Sequence, residues 1–298
     1  IGGATRLTHS GLSMMTWDPL MGWIPPLTDA QWLESFTHYK KIPEFYDLNP
    51  NMDLAGYKGI FLLEYVHRVW GRLIGLFFLL PFLYFLFAGK IQKSLRPQLI
   101  AMFALGGLQG VLGWYMVSSG FDSQYVSQYR LTAHLMAAFA IFAYMFWLAV
   151  GLLYPISEAS LYDVKPLLHM VGWVTLLITV TIAAGGFVAG LKAGFTYNTF
   201  PLMDGHFIPE GYGMISPFYL NFFENIAAVQ FNHRVLADLV LLFVVGVWFH
   251  AKKYELADQA RLGFNLMLIM GVVQFILGVM TLLMAVPLTL GVAHQGGS

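Results

Sequence analysis

Four stretches of this chain, Leu99–Val117, Leu131–Tyr154, Leu167–Leu191 and Leu262–Val286, contain no Lys, Arg, Asp or Glu, and the shortest is 19 residues. A helix needs about 20 apolar residues to cross roughly 30 Å of hydrocarbon. In lipid the backbone must satisfy its own hydrogen bonds, so such runs are expected as helices. Two further runs are apolar but open with polar groups. Ile60–Ala88 carries Glu64, His67, Arg68 and Arg72 in its first half, and Val229–Ala251 carries His233, Arg234 and Asp238. That makes six complete spans. Only 11% of the 298 residues are charged and 58% are hydrophobic, against about a quarter charged in a soluble protein. So little charge cannot cover a globule of this size, and the lipid bilayer is the expected surrounding.

The same composition excludes several function classes. Lys plus Arg and Asp plus Glu balance at 16 each, so there is no basic stripe for nucleic acid. Cysteine is absent, which rules out thiolate catalysis, iron–sulfur clusters, disulfides and cysteine-based zinc sites. Redox chemistry would have to use histidine-held metal or an organic cofactor. Loops 90–97, 155–166 and 251–261 hold seven Lys or Arg in 31 residues, whereas 1–59, 118–130 and 192–228 hold six in 109. By the positive-inside bias the short basic loops face the cytoplasm or matrix and the long loops face outward. Ile1-Gly2-Gly3 reads as the end of a further helix, and Ala293-His294-Gln295 as the start of another. The chain is therefore expected to be a trimmed version of an eight-helix protein.

The two halves resemble each other. Glu64-Tyr65-Val66-His67-Arg68-Val69 aligns with Gln230-Phe231-Asn232-His233-Arg234-Val235, and Gln109-Gly110-Val111-Leu112-Gly113 with Gln274-Phe275-Ile276-Leu277-Gly278. Leu131-Thr132-Ala133-His134 aligns with Gly291-Val292-Ala293-His294, and Gly2-Gly3 with Gly185-Gly186. The expected fold is an all-α integral membrane protein of two four-helix bundles from a tandem parallel repeat. The expected division is 1–154 and 155–298.

Four of the nine histidines, His67, His134, His233 and His294, fall at equivalent repeat positions, each within about two turns of the outer end of its helix. Two per half, on different helices, is how a helical bundle holds haem iron between neutral imidazoles. Zinc would want three or four ligands per site. The plainer alternative, a helix–helix hydrogen bond, suits one such histidine better than four in register. His9, His38 and His206 read as interfacial outer-loop residues, and His169 and His250 as interfacial at the inner ends.

Arg68 and Arg234 each follow a ligand histidine, and an arginine there is costly in lipid. Together with Arg130 at the mouth of the His134 helix, they suit the two propionates of haem, which guanidinium binds bidentately. Anchoring at the interface is the equal alternative for Arg130. The halves differ at one position: Glu64 is matched by Gln230. Glu64 lies three residues before His67, on the same helix face. An intramembrane carboxylate in one half only suggests one reacting site and one electron-carrying site. Asp238, four residues after Arg234, is expected to form an ion pair with it.

These residues resemble a known family. The segment Gly2–Met14 (GGATRLTHSGLSM) is similar to the opening motif of haem A synthases. So are Glu64–Arg72 (EYVHRVWGR), Tyr197-Asn198-Thr199-Phe200-Pro201, Phe231-Asn232-His233-Arg234 and His294-Gln295. Pro25-Pro26, Trp32, Tyr39 and Pro43-Glu44-Phe45 resemble the proteobacterial and mitochondrial branch; other members carry a cysteine pair that this chain lacks. The resemblance implies oxidation of a methyl group of haem O to a formyl group, giving the haem A of terminal oxidases. On this chain it implies that His67 and His134 hold the substrate haem and Glu64 is the catalytic carboxylate. His233 and His294 would ligate a haem b. It implies a bacterial cytoplasmic or mitochondrial inner membrane, with the haem sites toward the outer side. The implied partners are haem O and haem A, lipid, a haem O synthase, an electron acceptor and a second copy of the chain. From the residues alone, a di-haem b quinol-oxidising subunit and a proton-relaying transporter remain as other readings.

Overall fold

The structure, a computed structural model, describes residues 1–17, 22–154 and 164–297. Residues 18–21, residues 155–163 with the expected boundary at 155, and Ser298 lie outside the described residues. The chain divides into two compact units, Ile1–Ala149 and Val150–Ser298. Every long element is a helix, and the extended pairing among the described residues is a single bridge between Met203 and His206. Six helices are long and apolar enough to span a membrane: α4 (Leu54–Phe87), α5 (Arg96–Ser118), α6 (Gln128–Leu153), α7 (Lys165–Gly190), α9 (Ile226–Ala251) and α10 (Asp258–Leu283). The chain is an all-helical integral membrane protein; each of the six expected runs coincides with one of these helices, four of them overrunning its C-terminal end by one to three residues. Their outward faces carry large apolar side chains, such as Ile74, Phe77, Tyr84 and Phe87 on α4.

In the first unit, α4 starts six residues before the expected Ile60. Asp53 caps it, its Oδ1 accepting from the Gly56 N–H at 2.8 Å. At about 1.5 Å per residue its 34 residues reach roughly 51 Å, well beyond the hydrocarbon thickness. The additional turns are held by two short helices within the region expected to be open loop. Helix α2 (Asp29–Tyr39) begins with a capping box, in which Thr28 Oγ1 accepts from Gln31 N and Gln31 Oε1 from Thr28 N. Helix α3 (Pro43–Leu48) has proline in its first turn, where a missing N–H costs nothing. Both are shorter than the roughly 12–15 residues an isolated helix needs. They persist because Trp32, Phe36, Tyr39 and Phe45 bury themselves against Tyr57 and Phe61 of α4. Phe36 stacks on Tyr57 at 4.9 Å between centroids, and Trp32 meets Phe61 edge-on at 5.0 Å.

Within this cap the Tyr39 hydroxyl donates to Glu44 Oε1 at 3.0 Å and accepts from Asn49 Nδ2 at 2.8 Å. Burial, and then the Glu44 charge, push the phenol above its ordinary range, so it stays a donor.

The second unit packs α7 against α9, with Leu167, Val174, Val244, Val247 and Ala251 forming its buried core. Helix α8 (Asn221–Glu224) leads into α9, whose first N–H groups at Ala227 and Ala228 are capped by Asn225 Oδ1. Helix α11 (Leu288–Gly297) closes the described chain and packs on α10. Both units leave an early helix in the same way. Helix α1 (Gly2–Leu7) is followed by His9 at φ 52°, and α7 by Lys192 at φ 55°. Left-handed backbone is strained for a residue with a Cβ, yet it recurs here at an offset of 183, the offset of Gly2 and Gly185.

Candidate functional site

In the first unit, His67 projects from α4 and His134 from α6, and each lies within the other's electrostatic reach. A third helix ties the pair down. Gln109 of α5 donates from Nε2 to the backbone carbonyl of His134 at 2.9 Å, with the same nitrogen 3.4 Å from the His134 ring Nε2. The second unit repeats this. His233 on α9 and His294 on α11 lie within electrostatic reach, and Gln274 of α10 donates to the His294 carbonyl at 2.6 Å. His233 gains a further support: its Nδ1 lies 3.1 Å from the Thr181 carbonyl. With Nδ1 carrying the proton, Nε2 is left as the free ligand atom, an arrangement usual for metal-binding histidines. Nδ1 of His134 and of His294 are buried without a hydrogen-bond partner.

Glu64 is 2% exposed, one turn before His67. Its Oε2 accepts from Ser13 Oγ at 2.7 Å and from the Met14 N–H at 2.8 Å. Its Oε1 accepts from Arg68 Nε at 3.0 Å and also from Nη2. Four donors occupy the four or so acceptor sites of a carboxylate. The Arg68 guanidinium continues into the loop after α1, donating from Nη1 to the Thr16 carbonyl at 2.7 Å and from Nη2 to Met14 at 3.0 Å. Trp17 lies over it at 4.7 Å.

The equivalent arginine makes equivalent contacts. Arg234 donates from Nη1 to the Thr199 carbonyl and from Nη2 to Tyr197, each at 2.7 Å. Thr199 and Tyr197 stand 183 residues after Thr16 and Met14. In both units an arginine next to one of the paired histidines therefore clamps the loop that follows the unit's first helix. What differs is the residue four before it. Gln230, also 2% exposed, only donates to the Tyr197 carbonyl at 3.2 Å, and its Oε1 is buried without a partner. The expected Arg234–Asp238 ion pair does not form among the described residues, because the guanidinium turns toward Tyr197 and Thr199.

Arg130 is also engaged locally. Its Nη1 donates to the Tyr115 carbonyl at 2.7 Å and to Ser118 Oγ at 3.2 Å, and its guanidinium stacks 3.8 Å from the Tyr115 ring. Arg72 lies over Trp23 at 5.7 Å. Of the other histidines, His250 pairs with Tyr254 and His206 with Glu210.

Among the described residues, no three or more His, Cys, Asp or Glu side chains converge as a metal site. The arrangement is two imidazoles per unit, which suits axial ligation of a planar iron macrocycle rather than a closed four-ligand metal site. Sequence reasoning missed the residues that hold this arrangement. Ser13 and Met14 on Glu64, and Thr181 on His233, lie far away in the chain. Gln109 and Gln274 stood in the repeat alignment with no role assigned.

Residues 1–298 match the family described as Cytochrome oxidase assembly protein. The chain is 49% identical to a protein named Heme A synthase from Nitrosospira multiformis, over all of this chain and 84% of that one. It is 48% identical to the one from Nitrosomonas eutropha, covering 85% of it, and 45% identical to the one from Paramagnetospirillum magneticum, covering 84%.

Proposed function

The chain belongs to the cytochrome oxidase assembly family of haem A synthases, and we propose that it oxidises a methyl group of haem O to a formyl group, yielding haem A. The reaction adds one water oxygen and releases four electrons and four protons, two of the protons coming from the methyl group and two from the water. Its first need is a site that holds the macrocycle still beside a group able to manage charge and protons. The observation that carries the reading is an asymmetry. Two otherwise matched histidine pairs differ in that one has a buried carboxylate, Glu64, and the other the neutral Gln230.

In this reading His67 and His134 would hold the substrate haem by its iron. His233 and His294 fit a resident haem b, because the two imidazoles are paired within one unit and the Nδ1 of His233 already has its acceptor. A haem b there would supply a one-electron acceptor for the reacting site. Arg68, Arg130 and Arg234 serve the propionates with whatever donors their local contacts leave. The buried, unpartnered Nε of Arg234 is one such donor. The haem sites face the outer side of the membrane, a haem O synthase supplies the substrate, and an external acceptor removes the electrons. Two copies of the chain could associate without altering these assignments.

Glu64 stabilises positive charge that develops on the oxidised carbon, since a pre-oriented carboxylate needs no reorganisation at that moment. To take a proton from attacking water it must release one of its four donors. The Ser13 hydroxyl is the one that can rotate away, and it can then carry the proton on. Arg68 keeps its bonds to Oε1 throughout and holds the carboxylate in place.

The test is to purify the protein, record its optical spectrum and extract its haems. Haem O or haem A beside haem b supports this reading. Haem b alone would support quinol-oxidising electron transfer, and a spectrum without low-spin haem would support a transporter.

A further inference from the structure

Glycine is common in the spans, and most of it faces open space. A Cβ built on Gly106, Gly107 or Gly110, all on α5, meets nothing within 4 Å. Gly56 and Gly271 meet Met52 and Val244, and four others each meet a ligand histidine. On Gly2 the Cβ would lie 3.2 Å from His67 Nε2, and on Gly113, 3.2 Å from His134 Cε1. On Gly185 it would lie 3.0 Å from His233 Cε1, and on Gly278, 2.9 Å from His294 Cε1. Every one of the four histidines thus lies against the bare backbone of a neighbouring helix. The pairing also follows the repeat. Helix α1 backs the α4 histidine as α7 backs the α9 histidine, and α5 backs α6 as α10 backs α11.

We infer that Gly2, Gly113, Gly185 and Gly278 are positioning residues that set the ring plane and depth of the four haem-ligating histidines. The inference rests on the haem reading above. At Gly278 a methyl group would stand closer to the ring than Cβ atoms tolerate, and at the other three the ring would have to give by a few tenths of an ångström. Without haem the cost is small, because the imidazole is the free end of a flexible side chain and can swing aside. With haem bound, the ring is tethered at both ends, by its Cβ and by iron, and it cannot turn without tilting or lengthening the iron–nitrogen bond. The same substitution is therefore mild in the haem-free protein and costly in the loaded one. Alanine is also the better helix former, so the haem-free helices have no propensity reason to weaken.

The experiment compares wild type with Gly278→Ala, Gly113→Ala and the control Gly110→Ala. Haem per chain, the low-temperature electron paramagnetic resonance of the ferric low-spin haems, and thermal unfolding of haem-free protein in detergent are read for each. Gly278→Ala is expected to lose about tenfold in haem affinity at the second-unit site and to shift its largest g value. Gly113→Ala should do the same, to a smaller degree, at the first-unit site. Gly110→Ala should match wild type, and haem-free unfolding should be unchanged in all three. Wild-type haem content and g values in Gly278→Ala and Gly113→Ala would overturn the inference while leaving the haem reading intact. Loss of haem together with the haem-free fold would show a packing role and overturn it as well. A wild type without low-spin haem would overturn the underlying reading itself.

Discussion

The loops gripped by Arg68 and Arg234 show what the two units have in common and what sets them apart. Each guanidinium holds two backbone carbonyls at matching repeat positions, Thr16 and Met14 in one unit, Thr199 and Tyr197 in the other. This loop clamp works without a carboxylate, since the second unit has none at that place. Glu64 therefore adds to a clamp that the second unit makes without a carboxylate, and its charge demands a further explanation. It also makes the first unit fragile in a way the second is not. A buried carboxylate left without its cation is far more costly than a buried amide left without a neighbour.

Four experiments would break or sharpen this contrast. The largest effect is expected at the ligands. His233→Ala should remove the haem b spectrum of the second unit and abolish haem A formation while the first unit still binds haem O. A reduced-minus-oxidised spectrum and chromatography of extracted haems would show it, and a retained full haem b spectrum would break the assignment of the second unit.

Next comes Glu64→Gln, which makes the first unit like the second. Both haems should remain, while haem A formation falls by roughly 10²–10³-fold, the scale of losing one pre-oriented charge-stabilising group. Haem O or a hydroxylated intermediate should accumulate. Near-normal haem A output would reduce Glu64 to a structural partner of Arg68.

The third compares the clamps. Arg68→Met should cost roughly 3–5 kcal/mol of stability, because it strands Glu64. Arg234→Met should cost only about 1–3 kcal/mol for lost hydrogen bonds to carbonyls. Thermal unfolding in detergent separates them, and adding Glu64→Gln to Arg68→Met should restore part of the loss. Equal costs would erase the distinction between the units.

The smallest effect concerns what the units have in common. His9→Gly and Lys192→Gly relieve left-handed backbone at matched positions, and each should stabilise by less than about 1 kcal/mol. A gain at one position and a loss at the other would show that the two turns carry different loads.

What could be read from the chain beforehand follows from how far each signal extends. The spans were legible because an uncharged run of 19 or more residues has few other uses. The histidine pairs and the Glu64–Gln230 difference were legible because a repeat places them in register. Helices α2 and α3 were not, since their stability comes from Tyr57 and Phe61, which lie outside their own sequence, although Thr28-x-x-Gln31 and Pro43 mark their starts. The loop partners of Arg68 and Arg234 could not be read either. They are backbone carbonyls, which every residue has, so no side chain announces them. The Arg234–Asp238 expectation failed for the same reason. Helical spacing put a carboxylate within reach, but two carbonyls outcompeted it.

The division of contacts has a consequence for the order of manufacture. The groups that hold His67 and His134 all come from residues 2–134, and those that hold His233 and His294 from residues 181–294. A ribosome thus emits everything the first site requires before it begins the second. His294 follows His134 by 160 residues, a lag on the order of ten to thirty seconds at about 5–20 residues per second. During that interval the groups around His67 and His134 have all been synthesised, while the ligation pair of the second unit still lacks His294.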